Sequence, residues 1–559
     1  MKLCLLLAGL LLGASASPGL QHADLIIHGG PIFSAEPDLR IYRAVAVADG
    51  RIVAAGDESL IRRFRADRII DLHGRLAMPG FNDAHFHITG HARRYVELSD
   101  VRSIAQLKAR IGKRAAELGP GEWITGYGWS EDRFADGRKP TRFDLDQAAP
   151  GNPVYLDREG GHSAVVSSAA LARAGLNDSS PDPRGGRLER GADGRLSGII
   201  REQRTVVTRL LPSAAPEELR ADLSGRLKDL FRLGITSVTN ASTPADEYRR
   251  LWQPLYAASG GSLPRATIQI NPDLPAVGPE AAMATLRSLG GVTGAGDEHL
   301  RLGAVKVFVD GGFTGPAAWT TRGYRNDPNY FGMPAVDMQA LETFSAAAHR
   351  AGWQLGYHAI GDAAIEKTVA MFDRILAADP RPDSRHHVNH FSVLPDEPTM
   401  AMMARDGIGI IQQPNFTYAL EGRYRAYLPD EALRHNNAVA TPLAHGIRMA
   451  FSSDIIPIGP LVGIYGAVTR KGESGTVYGP EEKVSVAEAL RLYTAGGAWM
   501  NFNEKRLGRI APGLWADIIV LDRNLLSVPP ERILGAKVDL TFLAGKTVYQ
   551  RRGRERTAR

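Results

Sequence analysis

The chain has 559 residues, 44% of them hydrophobic and 23% charged, with a formal net charge of +6. That length exceeds one ordinary domain, and that balance belongs to a chain able to bury a large core, which excludes a mainly disordered protein. Its single cysteine, Cys4, lies in the first residues, so once that segment is removed disulfides, thiolate catalysis and cysteine metal ligation are all excluded.

The first element is Met1-Lys2, the apolar run Leu3 to Leu12, then Gly13-Ala14-Ser15-Ala16-Ser17. Charged, apolar and small-residue regions in that order predict a signal peptide over 1–17. The apolar run is too short to span a bilayer, and no later stretch reaches the roughly 18 apolar residues a span needs. The expected protein is secreted or periplasmic, without stable membrane insertion. Residues 23–77 then alternate β-prone runs with turns: Asp24-Leu25-Ile26-Ile27, Ala44-Val45-Ala46-Val47, Arg51-Ile52-Val53-Ala54 and Arg68-Ile69-Ile70-Asp71-Leu72. Asp49-Gly50 between two of these runs is a strong hairpin signal. Residues 508–550 share the texture, with Ala516 to Leu521 and Leu540 to Leu543, so both ends read as parts of one small β domain. The basic tail, 551–559, reads as solvated, since no basic run interleaved with aromatics accompanies it to suggest nucleic acid.

From 78 to 507, apolar runs alternate with helical stretches. Eight runs stand out: Gly80 to His85, Pro153 to Leu156, Ile235 to Val238, Ala304 to Val309, Trp353 to His358, His387 to His390, Ile408 to Gln412 and Met449 to Asp454. Repeated βα units predict an α/β fold, a (β/α)8 TIM barrel, with the polar residues at the strand ends where that fold places its chemistry. The stretch is longer than the roughly 250 residues of a plain barrel, so insertions are expected at about 88–150 and at Asp178 to Gly198.

His85-Phe86-His87 closes the first run. On a strand, side chains alternate, so both imidazoles face one way and can hold one metal ion, with the acid of Ser453-Asp454 completing the site. Lys306 lies inside an apolar run, where burial disfavours the cation and favours the neutral amine.

The motifs Pro79-Gly80-Phe81-Asn82-Asp83-Ala84-His85-Phe86-His87, Lys306-Val307-Phe308-Val309-Asp310-Gly311-Gly312, His358-Ala359-Ile360-Gly361-Asp362, Asn389-His390-Phe391 and Ser453-Asp454 stand in register. Together they resemble the amidohydrolase superfamily, specifically the amidohydrolase 3 group of YtcJ-like and N-substituted formamide deformylase-like proteins. The resemblance implies a TIM barrel with a small β-sandwich domain formed from both chain ends. It implies that His85 and His87 ligate one metal, that His358 and His390 ligate a second, and that Lys306, carboxylated by carbon dioxide, bridges the two. Asp454 would contact one metal and the bridging water. Two zinc ions are the first expectation, with manganese, iron, cobalt or nickel suited to the same donors.

The implied activity is hydrolysis of a non-peptide carbon–nitrogen bond in an amide, formamide or N-acyl compound, by attack of a metal-bridging hydroxide with Asp454 as general base and then acid. The same site could open an ester, lactone or phosphotriester, and a metal-binding protein without turnover is a third alternative. His162 resembles a histidine near the substrate, able to donate to an oxyanion, or else packs its loop. Tyr127 and Trp129 line an apolar pocket or pack in a core. Asp362 reads as support, not direct catalysis. Ser237 to Ala241 and Ser167 depart from the family pattern, which bears on substrate contacts. His28, His73, His91, His349, His386, His387, His435 and His445 have no place in the ligand pattern and read as surface or packing residues. The expected partner is a small amide-type molecule, not nucleic acid, with a homodimer the commonest assembly.

Overall fold

The computed structural model describes residues 20–159, 163–183, 186–313, 316–454 and 459–552, so the leader expected over 1–17 and nearly all of the tail lie outside the described residues. The fold is mixed α/β. Both chain ends meet in one eight-stranded sheet. The N-terminal side supplies Gln21–Phe33, Ile41–Ala48, Arg51–Gly56, Phe64–Asp71 and Ala77–Pro79, and the C-terminal side Ile518–Leu521, Val538–Leu543 and Lys546–Gln550. The join is antiparallel, with Ile518 opposite Pro79 and Val520 opposite Ala77. Leu25, Ile27, Val45 and Val47 share an apolar core with Ile518, Val520 and Phe542, so each end buries the other. The expected Asp49-Gly50 hairpin is present, with φ of 50° and 73°. Two positive φ values are what such a turn needs if the strands are to keep their twist.

Eight further strands are parallel: β1 (Phe81–Phe86), β2 (Ile235–Thr243), β3 (Arg265–Ile270), β4 (Leu300–Val305), β5 (Gly356–Ala359), β6 (His387–His390), β7 (Gly409–Gln412) and β8 (Met449–Phe451). They form two four-stranded sheets, β4-β3-β2-β1 and β5-β6-β7-β8. Lone parallel pairings stand between the sheets at both edges. Val305 meets Leu355 and Phe308 meets His358 on one side, and Phe86 meets Asp454 on the other. Helices such as Met338–Arg350, Asp362–Ala378 and Glu397–Asp406 connect successive strands. Every residue of β1, β3, β6 and β7 is buried, as expected of strands covered on both faces.

One expected barrel strand belongs elsewhere. Pro153 to Leu156 leads into the strand Val154–Arg158, which lies in a separate six-stranded sheet with Tyr95–Glu97, Ile124–Trp129, Ser163–Val166, Arg187–Arg190 and Leu196–Arg201. Val154 and Leu156 pack with Ile104, Leu107 and Leu145 on one face, while Tyr155 packs with Leu171 and Ile200 on the other. Burial on both faces gives the same unbroken apolar run as a central parallel strand, so pattern alone does not separate the two. The parallel strand that was missed is β3. Arg265 and Gln269 interrupt its apolar pattern, yet both are buried: Arg265 reaches Asp517 at 2.7 Å, and Gln269 lies 3.4 Å from His387. Much of both expected insertions, 88–150 and Asp178 to Gly198, goes into building the six-stranded sheet. Among the described residues, no helix is long and apolar enough to cross a membrane.

Candidate metal centre

The strands deliver the expected residues to one place, at their C-terminal ends. His85 lies in β1 and His87 just past it, Lys306 follows β4, His358 lies in β5, His390 ends β6 and Asp454 follows β8. The rings of His85 and His87 are 5.2 Å apart, His85 and His390 4.8 Å, and His358 and His390 4.3 Å. Lys306 Nζ stands 3.5 Å from His85 Nε2. The Asp454 carboxylate is 3.6 Å from His87 Nε2 and 3.9 Å from His390 Nδ1. Donor atoms of His85, His390 and Asp454 all lie within 4.8 Å of one another.

Amide oxygens fix two of the rings. His85 Nδ1 is 2.8 Å from Asn389 Oδ1, and His390 Nδ1 is 2.8 Å from Gln413 Oε1. A carbonyl oxygen only accepts, so each Nδ1 carries the proton and each Nε2 presents its lone pair. Among the described residues, His390 Nε2 and His358 Nε2 are buried without a hydrogen-bond partner. Such an unmet buried acceptor costs about 1–3 kcal/mol, and converging imidazole and carboxylate donors are what a borderline divalent ion takes. The residues present therefore fit a divalent metal. Backbone strain marks the same place: His390, Phe391 and Asp454 have φ of 78°, 50° and 56°, a region costing an L residue roughly 1–2 kcal/mol.

Burial dominates the electrostatics. It holds His85, His358 and His390 well below the usual imidazole range and brings His87 down to about 3, so all four are neutral and able to ligate. Burial also pushes the Lys306 amine down against the opposing pull of Asp454, and pushes Asp454 up against the pull of Lys306. Phe308 lies against this lysine, with Nζ 4.7 Å from its ring centroid. Beneath the ligands, the Asp83 carboxylate accepts the Ser453 N–H at 3.0 Å, and the Asp454 N–H donates to His85 O at 2.9 Å. These bonds lock the segment that carries Asp454 to β1.

His162 lies outside the described residues. Trp129 is fully buried in the core of the six-stranded sheet, donating from Nε1 to Leu156 O at 3.0 Å, so it packs and lines no pocket. Tyr127 lines a surface cleft of about 330 Å3 with His91 and Tyr95. Asp362 accepts from the Thr321 N–H at 2.9 Å and from its hydroxyl, anchoring a loop as expected. Ser167 caps the helix Ser168–Arg173 and accepts the Val154 N–H, a local structural role. Sequence reasoning gave no role to Asn389, Gln413, Asn240 or Asp310. Asn240 accepts the Ile88 N–H at 2.9 Å, fixing the backbone directly after His87. Asn389 and Asp310 lie inside the quoted motifs Asn389-His390-Phe391 and Lys306 to Gly312, and Asn240 inside the departing run Ser237 to Ala241, but nothing in those runs names the partners these side chains meet.

A sequence profile of the Amidohydrolase family matches residues 68–549. YtcJ of Bacillus subtilis (strain 168) is 29% identical over 547 residues, which cover 94% of this chain and 99% of that protein. The N-substituted formamide deformylase of Arthrobacter pascens is 25% identical over 561 residues, covering 95% and 99% respectively. Among solved structures, an uncharacterized metal-dependent hydrolase from Pyrococcus horikoshii OT3 shares the fold with a TM-score of 0.70 at 23% identity, over 91% of this chain and 99% of that one.

Proposed function

The chain belongs to the amidohydrolase family and is an enzyme, and from that premise we propose that it is a metal-dependent hydrolase of a non-peptide carbon–nitrogen bond in an amide, formamide or N-acyl amine. The observation that carries this is the pair of unpartnered buried nitrogens, His358 Nε2 and His390 Nε2, facing a site that also holds Lys306 and Asp454. The proposed architecture is a (β/α)8 barrel with a β-sandwich from both ends, supported by the eight parallel strands and the shared end sheet. The proposed occupants are two zinc ions, with His85 and His87 for one, His358 and His390 for the other, and Asp454 and a carboxylated Lys306 completing the set.

When bound, such ions polarise a carbonyl and bring the pKa of water toward neutrality. The side chains supply the rest. Lys306, its amine shifted toward the neutral form by burial, is the proposed nucleophile toward carbon dioxide, forming an N–C bond and releasing a proton. Asn389 and Gln413 hold the His85 and His390 rings in one orientation. Asp454, with its proton affinity raised by burial, takes a proton at its carboxylate during attack and returns it to the departing amine. His162 is the proposed donor to the developing oxyanion. The proposed substrate is a small molecule, and the proposed location is outside the cytoplasm, tested by sequencing the N-terminus of the mature protein.

The decisive experiment is Asp454→Asn assayed with formamides, N-acyl amines, esters and lactones alongside metal analysis. The expected result is loss of amide turnover with metal largely retained. Unchanged turnover would remove Asp454 from the chemistry, and wild-type turnover of esters or lactones alone would reassign the bond.

A further inference from the structure

We infer that Asp310 is a positioning residue for the metal centre, holding His358 in place by clamping the backbone that follows it; this rests on the metal-dependent hydrolase reading above. Asp310 lies four residues after Lys306, and its side chain is fully buried. Its carboxylate accepts three backbone N–H groups: Ile360 at 3.0 Å on Oδ1, and Gly361 and Trp319 at 2.9 Å each on Oδ2. Ile360 and Gly361 are the second and third residues after His358. Oδ1 also stands 3.6 Å from His358 Nε2. The main chain closes the same circuit, since His358 N donates to Val307 O at 2.9 Å and Val309 N donates to His358 O at 3.0 Å. Lys306, the proposed bridge, and His358, assigned to one side of the centre, are therefore joined through a few bonds that converge on one carboxylate.

The clamp leaves little slack. A Cβ on Gly361 would lie 1.9 Å from Trp319 O, so the two segments that share Oδ2 are pressed backbone to backbone. Replacing one oxygen by an amide NH2 presents a donor to an N–H, which leaves at least one buried N–H unmet and displaces the peptide after His358. Asp362 provides the internal contrast. It ties Thr321 of the same loop by a backbone and a hydroxyl bond, but neither of those bonds touches a ligand. Asp310 governs ligand position, whereas Asp362 governs the loop.

The test measures metal stoichiometry and affinity of the full-length protein, by elemental analysis and chelator competition, together with the visible spectrum after cobalt loading. Asp310→Asn is expected to weaken binding about 10–100-fold, the range for groups that orient ligands, and to alter the cobalt spectrum. Gly361→Ala, which strikes Trp319 O without touching the carboxylate, is expected to do the same. Asp362→Asn is expected to keep wild-type affinity and spectrum. Folded Asp310→Asn and Gly361→Ala variants with wild-type stoichiometry, affinity and spectrum would overturn the assignment, as would losses in all three variants that merely track their melting temperatures. Wild-type protein that binds no divalent metal would overturn the hydrolase reading and this one with it; wild-type binding with unaffected Asp310→Asn overturns this one alone.

Discussion

Buried histidines stand at both ends of the β5–β6 pair, and the difference between them separates a proposed ligand from a packing residue. At the N-terminal end, His386, just before β6, and His349, in the helix Met338–Arg350, use every ring nitrogen. His349 Nδ1 meets His386 Nε2 at 2.9 Å, His349 Nε2 lies 2.8 Å from Asp379 O, and His386 Nδ1 accepts the Leu355 N–H at 3.0 Å. At the C-terminal ends, His358 and His390 each leave Nε2 without a hydrogen-bond partner among the described residues, although both residues are buried. Burial lowers the proton affinity of all four, so neither burial nor charge state distinguishes them. The unmet lone pair does.

Four outcomes would sharpen or break that contrast. The largest belongs to the C-terminal side: Asp454→Asn should lower kcat by about 10²–10⁴-fold, the usual weight of a positioned acid–base group, while His386→Gln should leave kcat within a few-fold. Next, His386→Phe should strand the Leu355 N–H and one His349 nitrogen, destabilising the fold by about 2–6 kcal/mol in denaturant titrations at roughly 1–3 kcal/mol per unmet group. His358→Asn, which removes a ring nitrogen with no hydrogen-bond partner among the described residues, should cost the metal-free protein far less; equal losses would erase the distinction. Third, chelation should lower the stability of wild type and of His386→Gln alike, by about 2.7 kcal/mol when free metal had stood at 100 times its Kd.

The smallest effect per group is the pH response of metal-free protein. A buried histidine whose folded value lies below the unfolded 6.5 binds fewer protons when folded, so its contribution is present above pH 6.5 and is lost as pH falls toward the folded value. That holds for His87, brought to about 3, for His387, brought to about 4, and for His85, His358, His386 and His390, all well below. Each such group should remove about 1.4 kcal/mol per pH unit through that window. Asp83 and Asp310, pushed up to about 7 by burial, and Asp454, pushed up to about 6, act with the opposite sign down to pH 3.8, but the histidines outnumber them. Melting temperatures of chelated protein should therefore fall from pH 6.5 to 5, and a rise would reverse the balance.

Much of the centre was legible because its signals are local. His85 and His87 share a face through strand alternation, Lys306 stands out in an apolar run, and His358, His390 and Asp454 close such runs. The end sheet was legible from its turns, Asp49-Gly50 above all. What stayed hidden depends on partners distant in sequence. Arg265 breaks the apolar pattern of its strand, and the counter-charge that lets it be buried there, Asp517, lies 252 residues away. Val154 to Leu156 looked like a barrel strand because helices bury both its faces, and no pattern within the run says which sheet it joins. Asn389 and Gln413 are amides whose use depends on which ring they meet. Asp310 acts through N–H groups 50 residues downstream, with no sequence spacing that would announce the bond.

The central claim is that the histidines at the C-terminal strand ends are ligands and those at the other end are not. Metal analysis of full-length wild type, His358→Asn and His386→Gln, purified with zinc and dialysed identically, tests it most directly. Two bound divalent ions in wild type and in His386→Gln, falling to one or fewer in His358→Asn, is the predicted result. Metal content that is unchanged in His358→Asn, or that falls equally in His386→Gln, would contradict it.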